Sequence, residues 1–417
     1  MELKVQKSHI YTSVYLFLML YKPALFPVSM NYIMTFWGVA GCVFTYGTRS
    51  INRALCPLKR FAVVVFLVIL YLGGALSITS ADYSLLKIYV FMFGSIIQGA
   101  YAVVLLRRNY EDYESAMNAF VFVGLFQTII CVVMMILPNI RTNIVSYIVA
   151  MQGNSDTLLN AMSVRLYGIA GEYLYTIGLI HGVLSTYLFY CAIEEKKLGK
   201  AILAVAMLLP AILNARVGVV CTIISTLFLV VCCLIHNEVR DKIRLIKIIV
   251  VTIGVIVLFM NICRILVPGT YSWIQDGIQA VIDLILGQEN RYYGKLTSDF
   301  LVWPTGKEFI IGKGVIPAGK NYMHQYGYVS DIGYVRDIHA GGLILAVIFY
   351  SGCVWAVLNN FSAKNYNQKV LSLAFVIFIA FANYKGRIAG STDTIILILI
   401  IVGYCYFYEE WEESNES

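Results

Sequence analysis

Apolar positions in this chain fall into long unbroken runs, separated by short polar stretches, with little alternation inside any run. The runs lie near residues 10–27, 31–47, 61–79, 87–106, 116–138, 172–193, 201–215, 217–235, 246–267, 340–358, 370–384 and 391–408. In lipid only helices and closed barrels satisfy their backbone groups, and barrel strands would alternate with a period of two. Continuous runs approaching about 20 residues therefore predict about 12 transmembrane helices, the first, second, seventh and eleventh being short for a full crossing. The expected fold is an all-α polytopic membrane protein, a single transmembrane domain over residues 1–417.

Composition points the same way. The chain is 59% hydrophobic and 13% charged, too little polar surface to wrap a water-soluble globule. The 31 Lys and Arg against 24 Asp and Glu are scattered among short loops, so the net charge of +7 argues for topology and not for nucleic acid. Most of the 10 cysteines sit in or beside apolar runs, without the spacing of a zinc or disulfide framework. The opening MELKVQKSHI has no cleavage site after its first apolar run and reads as an uncleaved first helix.

Basic residues cluster in alternate loops: Lys4 and Lys7; Arg49, Arg53, Lys59 and Arg60; Arg107 and Arg108; Lys196, Lys197 and Lys200; Arg240, Lys242, Arg244 and Lys247; Lys364 and Lys369. By the positive-inside rule these loops and both termini are cytoplasmic. The outer face then carries a smaller loop at 139–171, a tight break at Asn214-Ala215-Arg216, a large loop at 268–339 and a connector at 384–390. Each of them holds arginine, which the rule disfavours outside. Arg141 and Arg387 read as headgroup anchors. Arg216 interrupts an otherwise apolar stretch, with Pro210 and Asn214 before it and Gly218 after it, and is expected to cap two short helices dipping into the outer half of the bilayer. An ionisable residue in such a stretch is a functional-site candidate.

The large loop begins with an amphipathic helix, TYSWIQDGIQAVIDLIL, whose face of Trp273, Ile274, Ile278, Val281, Ile282 and Ile285 suits the membrane interface. Beyond it, Tyr292, Tyr293, Trp303, Tyr322, Tyr326, Tyr328 and Tyr334 are interleaved with Gly, Lys and Arg. Such a stretch reads either as an interfacial aromatic belt or as a carbohydrate surface. Asp331, Tyr334, Arg336 and His339 follow within nine residues just before a helix, bringing an acid, a phenol, a cation and an imidazole to the membrane surface.

Three stretches resemble the Wzy family of O-antigen and polysaccharide polymerases, within the larger group that holds the O-antigen ligases. They are Arg165-Leu-Tyr-Gly168-Ile-Ala-Gly171-Glu172-Tyr173; Asn214-Ala215-Arg216-Val-Gly218; and the run from Arg291 through Phe309-Ile-Ile-Gly312-Lys-Gly314 to Asp331-Ile-Gly333-Tyr334-Val-Arg336-Asp-Ile-His339-Ala-Gly-Gly342. The resemblance covers the central and C-terminal two thirds of the chain and implies a GT-C-like architecture. It implies a glycosyltransferase in the bacterial cytoplasmic membrane, working on its outer face on two undecaprenyl-diphosphate-linked glycans. An acceptor hydroxyl attacks the anomeric carbon of the growing chain, and undecaprenyl diphosphate leaves.

That chemistry needs cations for the diphosphate and a base for the hydroxyl. Arg165, Arg216, Arg291 and Arg336 are the expected cations, with Tyr334 and Tyr173 beside the substrate. His339 is the first candidate base, with Asp331 and Glu172 behind it. No DxD triplet or metal-ligand spacing occurs in the sequence, so the expected transfer uses neither metal nor cofactor. Partners would be membrane lipids, the lipid-linked glycans and a chain-length regulator. The rivals are a ligase moving finished glycan, and a transporter or flippase. A transporter should show paired half repeats with charges in both halves, which the sequence does not display.

Overall fold

The computed structural model describes all of the chain except residues 1, 80–82, 153–164, 172–174, 237–238, 289–298, 360–365 and 416–417. Its described residues form helices and their connections, with no strand among them. In chain order the helices are α1 (Glu2–Tyr21), α2 (Met30–Ala54), α3 (Lys59–Thr79), α4 (Ser84–Asn109), α5 (Tyr113–Ile136), α6 (Pro138–Gln152), α7 (Thr176–Glu194), α8 (Leu198–Asn214), α9 (Arg216–His236) and α10 (Val239–Leu266). They continue with α11 (Pro268–Ile285), α12 (Lys307–Ile311), α13 (Gly319–Tyr326), α14 (Gly333–Leu358), α15 (Tyr366–Ala382), a 3-10 turn at Ile388–Gly390 and α16 (Thr392–Asn415). Among the described residues, seven helices are long and apolar enough to cross a membrane: α3, α4, α5, α7, α9, α10 and α14. Shorter apolar segments lie in α2, α8, α15 and α16.

The core is built around α7, nearly all of whose side chains are buried. It packs on α8, α9, α15 and α16, while α2 lies on α4 and α3 on α14. Small residues set the α7 and α9 approach: a Cβ on Gly218 would come within 1.9 Å of the Gly178 carbonyl oxygen. Buried polar groups on α7 are satisfied across helices. His181 joins the Tyr21 hydroxyl (3.0 Å) to the Met207 carbonyl (2.9 Å), and Ser185 donates to Ala204 (2.8 Å). In contrast, α10 exposes Ile243, Ile246, Val250, Ile253, Val257 and Leu258 along its length. A continuous apolar band of this kind is what a helix facing lipid requires.

Contacts between helix ends define two poles. At one, Lys200 meets Glu114, Asn367 donates to Glu194 and His236 stacks on Tyr366. At the other, the C-terminal ends of α1, α8 and α15 meet the N-terminal ends of α9, α14 and α16. There the structure departs from the sequence reading in three ways. The smaller loop contains a 15-residue helix, α6. The break at residue 215 separates helices of 17 and 21 residues, so α9 is no half-crossing. And the expected apolar face of α11 is divided, with Ile274 buried while Ile278 and Ile282 are exposed.

Candidate functional site

Helix α14 is two helices. Its backbone leaves helical geometry at Gly341 (φ −140°, ψ 16°) and Gly342 (φ 72°, ψ −177°), making a half-helix, Gly333 to Ala340, ahead of the long apolar part. Glycine is required at the break. The φ of Gly342 is one that L side chains avoid, and a Cβ there would lie 2.0 Å from the Ile310 carbonyl oxygen. Gly312, at φ 81°, abuts the break from the other side, since its Cβ would sit 2.6 Å from the amide nitrogens of Gly341 and Gly342. The strap from α12 to Gly314 thus lies in the break and satisfies the carbonyls that it frees. Lys313 N–H donates to His339 O (2.7 Å), Gly314 N–H to Ala340 O (3.1 Å), and the Tyr71 hydroxyl to Gly341 O (2.8 Å).

One face of the half-helix is locked. Asp337 is 1% exposed and receives Arg387 Nε on one oxygen and the Tyr350 hydroxyl on the other. Arg387 also donates to the Tyr89 hydroxyl at 2.7 Å, while its carbonyl accepts from Tyr175. Asn383 donates to Tyr350 and accepts from Ile388 N–H (2.9 Å), and its own carbonyl takes the Gly333 N–H (2.9 Å). The headgroup role expected of Arg387 is therefore replaced by an internal one: a carboxylate buried on α14 demands a paired cation, and Arg387, 4% exposed, provides it.

His339 faces elsewhere. It is fully buried, its Nε2 lies 2.8 Å from the Val302 carbonyl oxygen, and its ring centroid is 5.6 Å from that of Tyr328. A carbonyl only accepts, so Nε2 carries the hydrogen and Nδ1 presents a lone pair, which has no hydrogen-bond partner among the described residues. Asp331 is engaged by Arg336 and Lys385, each at 3.0 Å, and Arg336 also donates to the Ser330 carbonyl. Tyr334 donates to Ala380 O (2.8 Å) and lies against Tyr350. Of the four residues expected together, the structure unites Asp331 with Arg336 and points Tyr334 and His339 to other neighbours. Rotation of about 100° per residue turns position 334 away from 336 and 339; those two lie within about 60° of each other and are parted by the partners they take.

The second station is aromatic. Arg216 opens α9 directly after the extended residue Ala215, lays its guanidinium 4.2 Å from the Trp273 ring centroid and donates to the Trp273 carbonyl. Arg165 reaches the same ring at 5.7 Å. Both are held by the chain around them. Leu166 N–H donates to Leu213 O (3.2 Å), Gln127 donates to Tyr167 O (2.7 Å), and Gly171 N–H donates to Tyr21 O (3.0 Å), seating residues 165–171 in the top of the bundle. On α11, Gly277 gives the Arg216 side chain its room, because a Cβ there would sit 2.4 Å from Nε. Beside them Asn214 is fully buried, with neither side-chain polar atom hydrogen-bonded among the described residues. Glu172, Tyr173 and Arg291 lie outside the described residues.

Sequence reasoning passed over Asp337 with Arg387, and also a second buried pair, Lys22 and Asp393, 2.5 Å apart where α1 ends and α16 begins. The available signal was an ionisable residue standing alone in or beside an apolar run, which marks Lys22 and Asp393; Asp337 directly follows Arg336 and carries no such mark. In the strap, burial works to lower the pKa of the Lys313 ammonium. Its hydrogen bond to Glu308, together with the electrostatic influence of Tyr328, Glu308 and Tyr326, outweighs this and holds the group above the ordinary lysine value. No protein-family model matches the chain, and no curated protein does so either.

Proposed function

We propose that the chain is a Wzy-type membrane glycosyltransferase that joins undecaprenyl-diphosphate-linked repeat units into a surface polysaccharide. In this reading α1 to α5, α7 to α10 and α14 to α16 make the 12 crossings in a bacterial cytoplasmic membrane. The pole bearing Lys200, Glu194 and both termini is cytoplasmic. The pole bearing Arg165, Arg216 and His339 faces out, together with the 139–171 and 268–339 segments.

The observation that carries the reading is the convergence of Arg165 and Arg216 on Trp273. Two guanidinia that reach one ring gather positive charge there, and a diphosphate bound beside that ring would balance it while accepting bidentate hydrogen bonds. The N-terminus of the 21-residue α9 adds partial positive charge at the same place. As the acceptor oxygen bonds to the anomeric carbon, the bond from that carbon to the diphosphate breaks. The leaving group takes the electron pair, and the hydroxyl proton passes to a base. His339 Nδ1 is the candidate, since its lone pair has no hydrogen-bond partner among the described residues and its tautomer is set by Val302. Chain length would be set with a regulator protein.

The test is a reconstituted assay with chelator and lipid-diphosphate-linked repeat units from the host, products resolved by size. A ladder of two, three and more repeats is expected. Arg165→Ala and Arg216→Ala should each lower it about a hundredfold, with lysine restoring only part because it keeps the charge and loses the fork. A transporter remains the second reading, favoured by the broken α14 and the buried ion pairs. An intact preparation that moves the substrate across liposomes and makes no ladder would select it.

A further inference from the structure

We infer that Tyr326, Tyr322 and Tyr328 form a stacking platform for a sugar ring of a glycan. The inference takes its meaning from the proposed transferase but concerns binding alone. The three rings and His339 make a continuous aromatic series. Tyr326 and Tyr322 have centroids 4.4 Å apart, Tyr322 and Tyr328 are 5.4 Å apart, and Tyr328 and His339 are 5.6 Å apart. Its outer end is Tyr326, 40% exposed, and its inner end His339 at 0%, with Tyr322 buried at 8% and Tyr328 half-buried between them. It is held stiffly. The Tyr322 and Tyr328 hydroxyls share a hydrogen bond of 2.9 Å, and Gly327, at φ 76°, reverses the chain between Tyr326 and Tyr328.

Polar groups stand beside the outermost ring. Lys313 lies 5.7 Å from the Tyr326 centroid and is ion-paired with Glu308 at 3.1 Å, the glutamate being half exposed. A pyranose offers an apolar C–H face to the electron-rich face of a ring, and hydroxyls at its rim to a carboxylate and an ammonium. An interfacial belt would need the exposed rings only. It would not need an aromatic series that ends on a buried imidazole, nor an ion-paired lysine over the outermost ring.

The experiment is saturation-transfer NMR on the full chain in lipid nanodiscs. The probe is the lipid-free oligosaccharide released by mild acid from the host's lipid-linked repeat units. Sugar C–H protons should receive saturation, and Tyr326→Ala should weaken binding roughly tenfold while Tyr326→Phe stays near wild type. Equal binding by Tyr326→Ala and wild type would overturn the inference. So would no binding by wild type combined with quenching of the exposed aromatic residues by brominated lipid, which assigns the cluster to the membrane interface. The two readings fail separately. Tyr326-dependent binding without a polymer ladder keeps the platform and removes the transferase, whereas a ladder unchanged by Tyr326→Ala together with unchanged binding removes the platform alone.

Discussion

Asp337 and His339 are two residues apart on one half-helix, both buried, yet their surroundings differ in kind. Each Asp337 oxygen has a donor, from Arg387 and from Tyr350. His339 uses one ring nitrogen on Val302, and the other has no hydrogen-bond partner among the described residues. The difference follows from charge. A buried carboxylate is tolerated only when it is paired and hydrogen-bonded, whereas a neutral imidazole with one open acceptor costs far less. The Asp337 face therefore anchors the half-helix, and the His339 face keeps a buried nitrogen with no hydrogen-bond partner among the described residues.

The largest effect should come from the anchored face. Asp337→Ala or Arg387→Ala leaves an uncompensated buried charge, and each is expected to lower stability by about 3–5 kcal/mol. Thermal unfolding in detergent reads this directly. The double change of Asp337→Leu with Arg387→Met should recover most of the loss, because an apolar pair of similar size removes the charge and its partner together. Singles that unfold like wild type would mean that the pair does not anchor α14.

The break between the faces should respond next. Gly342→Ala places a methyl group against the Ile310 carbonyl at an unfavourable φ, and overpacking of this kind costs about 1–3 kcal/mol. The strap would be pushed from the break, so proteolysis between Lys307 and Gly319 should quicken while the transmembrane fragments persist. A Gly342→Ala protein cut at the wild-type rate would show that the strap is not held by the break.

Much of this architecture was legible beforehand, and the reasons for the rest are physical. Apolar runs mark helices because lipid leaves the backbone no other partner, and those runs fall on helices, seven of them long enough to cross. Arg165 and Arg216 were both visible as arginines where arginine is disfavoured, and the structure brings them to one indole. Trp273 could be placed on its helix but not against Arg216, since periodicity orients a helix without choosing its neighbour. The pairings of Asp337 with Arg387, and of the Gly312 strap with the Gly341-Gly342 break, join positions far apart in the chain, which no local pattern reports. Arg387 misled because a headgroup and an internal carboxylate satisfy guanidinium equally well, and only the tertiary arrangement decides between them.

The smallest effect on stability should be at His339, and it separates the two faces most sharply. His339→Gln keeps an N–H that can reach the Val302 carbonyl and removes the basic nitrogen. Stability should change by about 1 kcal/mol or less, the scale of one hydrogen bond. If Nδ1 takes the acceptor's proton, the same change should slow glycan transfer roughly 10²- to 10⁴-fold. Glycan binding should meanwhile persist, because Tyr322, Tyr326 and Tyr328 are untouched. A variant that is stable, binds and does not transfer would place proton transfer at the incompletely bonded face. A variant that transfers at the wild-type rate would make the open nitrogen a packing defect and return the search for the base to Asp331 and Glu172.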